Sequence, residues 1–142
     1  MHMITSRVSV GNREDAREIP PTFSALLLVA EEFEVQPAPW IEYAKIPLTE
    51  YAAANVDAVA RAVEWIERRI ETNRILVCCR AGMGRSVSMV LAYLCCVEGM
   101  TYADAERLVK ARRPGASPLP DIERVIESVQ ERRRTRTCRP PS

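Results

Sequence analysis

Hydrophobic and polar residues along the chain alternate between short apolar runs and longer segments with helical spacing. Four segments have the length and residue pattern of strands, and they comprise residues 7–12, 25–29, 40–48 and 75–79. After the third of them, apolar residues recur at intervals of three or four, which predicts an amphipathic helix over residues 55–72. Further helices are predicted at residues 12–18, 86–98 and 101–113, and from residue 118 onward.

Strands that alternate with helices in this way predict an α/β fold. We expect a single domain with a central, mainly parallel sheet of four or five strands, flanked by helices. In such a sheet, ligands bind beyond the carboxyl ends of the strands. The predicted domain covers residues 1–131. Residues 132–142 form an arginine-rich tail, which we expect to be disordered.

Composition narrows the classes of function. The chain has 142 residues, of which 47% are hydrophobic and 27% charged, as in an ordinary globular domain. A net charge of +1 gives no general attraction to nucleic acid or to a membrane surface. Five cysteines, an odd number, do not resemble a secreted disulfide framework. We therefore expect a cytoplasmic monomer with no nucleic-acid partner and no membrane anchor.

The main candidate chemistry lies where the fourth predicted strand ends. Cys79 and Arg85 are six positions apart, and Gly82 and Gly84 between them let the backbone approach a ligand closely. The N–H groups of such a loop can point inward and bind an anion, and the following helix N-terminus adds partial positive charge. Arg85 offers a planar fork to two phosphate oxygens. The same field favours thiolate over thiol at Cys79, and the Ser86 hydroxyl can donate to that sulfur.

Cys79-x5-Arg85-Ser86 after a hydrophobic strand resembles the phosphate-binding loop of cysteine-dependent protein phosphatases, and its spelling is most similar to the dual-specificity branch. The resemblance covers roughly Thr5 to Glu131. It implies a protein tyrosine phosphatase-like fold, hydrolysis of phosphomonoesters through a phosphocysteine intermediate, no metal or other cofactor, and a phosphorylated protein or peptide as substrate. It also implies that the loop residues between nucleophile and arginine bind the phosphate, namely Arg80, Ala81, Gly82, Met83 and Gly84.

Two positions depart from the family pattern. The family usually has histidine immediately before the nucleophile, where it helps to order the loop, and this chain has Cys78. The segment that ends at Glu50 resembles the family's general-acid loop, in which aspartate takes the place of that glutamate. We assign Glu50 as the general acid, with Asp57 as the alternative. His2, the single histidine, lies far from every motif in the sequence, which argues against histidine as the acid.

Several alternatives remain open at this point. The domain could bind phosphorylated ligands without turning them over, or it could apply the same chemistry to a phosphoinositide, a sugar phosphate or an RNA 5′ end. Cys78 could protect the nucleophile as a redox partner, although a disulfide between adjacent cysteines is strained. Together with Cys95 and Cys96, the two loop cysteines could also hold zinc, although their spacing is unusual for such a site. The arginine-rich tail could bind an acidic partner.

Overall fold

The computed structural model describes residues 1–137, which are built around one sheet of five strands. The strands lie in the order β1-β2-β5-β3-β4. β1 runs antiparallel to β2, and the other three pairs of neighbours are parallel. The strands are β1 (His2–Met3), β2 (Val8–Gly11), β3 (Ala25–Leu28), β4 (Glu42–Lys45) and β5 (Ile75–Cys78). The predicted α/β architecture with a mainly parallel sheet is confirmed.

β5 lies at the centre of the sheet and supplies the strand that leads into the glycine-bearing loop. Its four residues are fully buried, as continuous apolar runs in parallel sheets are. Cys78 at the end of β5 pairs with Gly11 of β2 on one side and with Leu28 of β3 on the other. The three strands therefore end at the same level, and the segments that follow them meet at one edge of the sheet.

Five helices accompany the sheet: α1 (Arg13–Arg17), α2 (Val56–Arg69), α3 (Arg85–Cys96), α4 (Tyr102–Arg112) and α5 (Ile122–Thr137). α3 packs against α2, α4 and α5 and also against β2 and β5. It is therefore apolar on nearly all sides, and its first eleven residues are all buried. None of the helices in the described part of the chain has the length and apolar content needed to cross a bilayer.

The edges of the sheet differ most from the prediction. β1 has two residues, which is too short for an alternating pattern to show in the sequence. β4 covers four residues of the strand predicted over residues 40–48. After β4 the Ile46 N–H still donates to the Leu28 carbonyl at 2.8 Å, but Pro47 has no N–H with which to continue the ladder.

α5 runs through the first part of the tail that the sequence predicts as disordered. Two arginines of this part pack against α2. Arg133 makes two hydrogen bonds to the Glu67 carboxylate, at 3.2 and 2.7 Å, and Arg132 donates to Asp57 at 2.5 Å. The expectation of disorder is wrong for this part because ion pairs with α2 give the extended helix a partner. Residues 138–142 of the predicted tail lie outside the described residues.

Candidate active site

Cys79 follows β5 directly, and its sulfur is surrounded by hydrogen-bond partners. The side chain is 2% exposed. The Gly82 N–H donates to Sγ at 3.2 Å and the Ser86 N–H donates to it at 3.4 Å. The Ser86 hydroxyl lies 3.3 Å from Sγ; it accepts from the thiol and can donate to the thiolate. Two backbone N–H groups and one hydroxyl are thus gathered around a single buried sulfur.

The loop from Cys79 to Arg85 depends on a backbone conformation that suits glycine. Gly82 has φ of 73°, in the left-handed region, and a Cβ built on it would lie 2.6 Å from the Gly11 carbonyl oxygen. α3 begins immediately afterwards at Arg85, with Gly84 as its N-cap and therefore without a capping side chain. The N–H groups of the first turn therefore face the loop without a capping side chain, and one of them, that of Ser86, donates to the Cys79 sulfur.

A pocket of about 330 Å³ opens beside Cys79. Cys79 and Arg85 line it from the loop, and Glu50 and Tyr51 line it from the segment after β4. Tyr51 is 83% exposed and has φ of 63°, a conformation uncommon for a residue with a side chain. The rest of the wall is mostly apolar and consists of Ala81, Met83, Gly84, Ser117, Pro118, Leu119 and Pro120.

The Arg85 guanidinium is 2% exposed and is paired with a carboxylate that the sequence analysis did not identify. Nη1 and Nη2 donate to the two oxygens of Glu32 at 2.5 and 2.7 Å, end-on and bidentate. Nη1 also donates to the Leu48 carbonyl at 3.0 Å. Nε has no hydrogen-bond partner within residues 1–137 and can therefore bind a ligand. Arg85 thus connects the phosphate loop to the segments that follow β3 and β4.

Each member of this pair holds the other in its charged state. Hydrogen bonds from Arg85 lower the pKa of Glu32 from 4.5 to about 2, against the opposing effect of partial burial. Burial by itself would lower the pKa of Arg85, but the hydrogen bonds and charge of Glu32 outweigh it and raise that pKa. Glu32 is therefore ionised at neutral pH and holds no proton that it could give to a leaving group.

The acidic residues proposed from sequence lie in different places. Glu50 lies at the pocket, with Oε2 4.0 Å from Arg85 Nη2 and 3.9 Å from Arg80 Nη1. Asp57 lies in the first turn of α2 and pairs with Arg132, away from the pocket. Among the loop residues predicted to bind phosphate, Ala81, Met83 and Gly84 line the pocket, and the Gly82 amide donates to the sulfur. Arg80 does not line the pocket and is paired with Glu50.

Cys78 and His2 are two further residues of the sequence analysis that lie close to the loop or its contacts. Burial, followed by the nearby Asp15 carboxylate, raises the pKa of the Cys78 thiol well above its ordinary value, so this cysteine is neutral at neutral pH. His2 lies far from every motif along the sequence, but in the folded chain it lies close to the loop. Strand β1 places its Nδ1 2.7 Å from Nη1 of Arg113, a residue that itself contacts the loop.

Glu32 could have been found from the topology of the sheet. It follows β3, whose end lies beside the end of β5, and acidic residues after neighbouring parallel strands meet at one edge. The pattern of residues 31–34 alone indicates only a polar loop. Within residues 1–137, no group of three or more histidine, cysteine, aspartate or glutamate side chains is arranged to hold a metal ion.

Comparison with solved structures shows the class of protein to which this fold belongs. The crystal structure of Tk-PTP in its active form superposes with a TM-score of 0.76 at 26% identity, over 92% of this chain and 95% of that one. Human DUSP28 superposes with a TM-score of 0.83 at 19% identity, over 96% and 99% of the two chains. The fold and the loop are those of the cysteine-dependent protein tyrosine phosphatase superfamily.

Sequence comparison gives the family within that class. The family model described as "Dual specificity phosphatase, catalytic domain" matches residues 21–132. The chain therefore belongs to the dual specificity phosphatase family. Dual specificity protein phosphatase Mpk3 of Drosophila melanogaster is 36% identical over 80 residues, which span 55% of this chain and 20% of that protein. Human dual specificity protein phosphatase 22 is 26% identical over 136 residues, which span 92% of this chain and 74% of that protein.

The ion pair between Arg85 and Glu32 predicts how the free energy of unfolding depends on pH. The folded-state pKa of Glu32, about 2, lies below the ordinary value of 4.5. Its contribution to the free energy of unfolding is therefore complete above pH 4.5 and is lost as the pH falls from 4.5 towards 2. Because the carboxylate is about one-third exposed, we expect Glu32→Gln to cost about 1–2 kcal/mol at pH 7 after solvent screening is allowed for.

Urea unfolding at pH 7 and at pH 3 measures this difference, with Glu31→Gln as the matched control because Glu31 is the exposed neighbour on the same loop. The gap between wild type and Glu32→Gln should narrow at pH 3, and Glu31→Gln should match wild type at both values. An equal gap at the two pH values would contradict the assigned pKa.

Proposed function

We propose that the protein is a metal-independent phosphomonoester hydrolase that acts on phosphorylated protein or peptide through a phosphocysteine intermediate. The observation that carries the proposal is the set of hydrogen-bond partners around Cys79: two backbone N–H groups that donate to its sulfur and the Ser86 hydroxyl meet at one buried side chain. Arg85 lies at the same pocket with its charge fixed by Glu32. A thiolate nucleophile and a preorganised site for a phosphoryl group are the two requirements of this chemistry.

In the first step, the Cys79 thiolate attacks phosphorus in line and forms the S–P bond, while the bond from phosphorus to the leaving oxygen breaks. Glu50 gives its proton to that oxygen. The loop amides of residues 80–85 and the free edge of the Arg85 guanidinium bind the three remaining oxygens, where charge develops in the transition state.

In the second step, water attacks the phosphocysteine and transfers a proton to Glu50, which now acts as a base. The S–P bond breaks, inorganic phosphate leaves, and the Ser86 hydroxyl donates to the departing sulfur. Glu32 takes no part in proton transfer because both its oxygens are occupied by Arg85. The division of work between the two carboxylates follows from their contacts: one orients the guanidinium, and the other faces the pocket.

The character of the pocket wall favours a protein substrate over a multiply phosphorylated lipid or sugar. Tyr51, Met83 and Leu119 present apolar surface around the entrance. Of the described residues that line the pocket, Arg85 alone is basic, although Arg80 lies 3.9 Å from Glu50. A ligand with several phosphates needs several cations, whereas a phosphorylated aromatic side chain can place its ring against this wall. The proposal includes action as a monomer in the cytoplasm.

The nucleophile is tested by hydrolysis of para-nitrophenyl phosphate with EDTA present. Cys79→Ser should fall below about one thousandth of the wild-type rate, because an alcohol at this position is not ionised and is a poor leaving group. Cys78→Ser is the matched control, since Cys78 is the adjacent buried cysteine, and it should retain turnover. Wild-type protein that binds orthovanadate but releases no phosphate would instead identify a phosphate-binding module.

The general acid is tested by the dependence of rate on pH and on leaving group. Glu50→Gln should lower kcat/KM for phenyl phosphate by about a hundredfold and remove the basic limb of its pH profile, because no proton reaches the leaving oxygen. The loss should be smaller for para-nitrophenyl phosphate, whose leaving group is stable without a proton. Asp57→Asn is the control and should behave as wild type. Equal losses on both substrates would move the acid role away from Glu50.

The role of Tyr51 is tested by comparing aryl with alkyl phosphates. Tyr51→Ala should raise KM for phenyl phosphate by about fivefold, the equivalent of one aromatic contact of about 1 kcal/mol, and should leave glycerol 2-phosphate unaffected. Trp40→Ala is the matched control, because Trp40 is also an exposed aromatic residue but lies outside this pocket. A similar loss on both substrates would show that Tyr51 acts on the loop conformation rather than on the ring.

A further inference from the structure

Four consecutive carbonyl groups of the phosphate loop, those of residues 80–83, accept hydrogen bonds from outside the loop. The Arg13 N–H donates to the Arg80 carbonyl at 3.0 Å, and the Ser117 N–H donates to the Met83 carbonyl at 2.8 Å. The two carbonyls between these, of Ala81 and Gly82, accept from one side chain, Arg113, at 3.3 and 3.0 Å. A peptide group whose carbonyl is fixed outward has its N–H fixed in the opposite direction, towards the inside of the loop. The N–H that shares a peptide group with the Ala81 carbonyl is that of Gly82, and it points to the Cys79 sulfur at 3.2 Å.

We propose that Arg113 is a positioning residue for this reaction, which holds the two central peptide groups of the phosphate loop so that their N–H groups converge on the phosphoryl group. The proposal rests on the proposed function for its consequence in catalysis. Its structural content is independent of turnover, because the same amides bind any oxyanion in the loop.

The surroundings of Arg113 support a positioning role. The residue is 4% exposed, and it follows α4 directly at the turn that also delivers Ser117. Nε donates to the Gly82 carbonyl and Nη2 to the Ala81 carbonyl, so the planar fork spans two consecutive peptide groups. Within residues 1–137, no carboxylate oxygen lies within 4.0 Å of an Arg113 nitrogen. A buried cation is costly unless it has partners, and here the partners are mainly the loop carbonyls.

His2 completes this arrangement. Its Nδ1 lies 2.7 Å from Nη1 of Arg113, the nitrogen that does not contact the loop. A guanidinium nitrogen can only donate, so His2 Nδ1 is the acceptor in this contact. Strand β1, which brings His2 here, pairs with Val10 and Ser9 of β2 and so is anchored to the sheet beside the loop. The N-terminal strand therefore fixes the third nitrogen of the guanidinium and, through it, the orientation of the fork.

The position of Gly82 is consistent with this role. A Cβ on Gly82 would lie 2.5 Å from Nη2 of Arg113, so the guanidinium is packed directly against the loop backbone. The loop has no histidine next to its nucleophile, since Cys78 occupies that position with a buried, neutral thiol. External support by Arg113 provides an ordering element that this part of the loop does not supply itself.

The test compares Arg113→Met and Arg113→Lys with Arg112→Met, in which the exposed neighbouring arginine is changed. The probes are the dissociation constant of orthovanadate, which resembles the transition state, and the separate values of kcat and KM. We expect Arg113→Met to weaken orthovanadate binding and lower kcat by about tenfold or more, with a smaller change in KM, because misaligned amides lose most in the transition state.

Arg113→Lys keeps the charge but cannot span both carbonyls in parallel, so it should not restore either value. Arg112→Met should match wild type. Full recovery in Arg113→Lys would show that charge alone matters and would overturn the proposal, as would wild-type orthovanadate affinity in Arg113→Met. If wild type binds orthovanadate without turnover, the proposed function fails while the binding data still decide this inference.

A second variant covers the case in which Arg113→Met does not fold, as judged by circular dichroism. His2→Ala removes one contact from an exposed residue at the edge of the sheet and leaves the fork in place. We expect orthovanadate affinity to fall by about two- to threefold, in the same direction as for Arg113→Lys. Wild-type affinity in both His2→Ala and Arg113→Lys would contradict the positioning role.

Discussion

The burial of one guanidinium, that of Arg85, is the constraint on which the rest of the site depends. A cation that is 2% exposed must be compensated, and here a bidentate carboxylate and a backbone carbonyl do so. Glu32 comes from the segment after β3, and Leu48 comes from the segment that leads to Glu50. The ion pair with Glu32 and the hydrogen bond to Leu48 together hold the arginine and join both segments to the phosphate loop.

The sheet explains why these segments can meet. β2, β5 and β3 end at the same level of the sheet. The end of β2 at Gly11, the start of the phosphate loop at Cys79 and the segment after Leu28 therefore lie side by side. The Cys79 N–H donates to the Gly11 carbonyl at 3.3 Å, which holds the start of the phosphate loop against the neighbouring strand. α3 begins at the same edge with Arg85 and Ser86 and then runs into the core. The packing of this buried helix and the geometry of the loop therefore depend on each other.

The sequence predicted the parts of the molecule that have local signals. Apolar runs and helical spacing identified the inner strands and the helices, and the spacing of Cys79 and Arg85 identified the loop. Partnerships between distant segments have no such signal. Glu32 looks like one acid among several in a polar loop, Arg113 like a cation at a helix end, and His2 like an isolated residue. Their roles arise from the order of the strands, which brings residues far apart in the chain to one edge.

Catalysis through a covalent bond to one cysteine is the central claim of this account, and the most direct measurement is the detection of that bond. Wild-type protein is mixed with excess aryl phosphate, denatured rapidly during the first turnover, digested and analysed by mass spectrometry. The account predicts a phosphoryl group on Cys79, none on the adjacent Cys78, and none on either position in Cys79→Ser. Phosphate release with no phosphoryl group on Cys79, or with one on another residue, would contradict it.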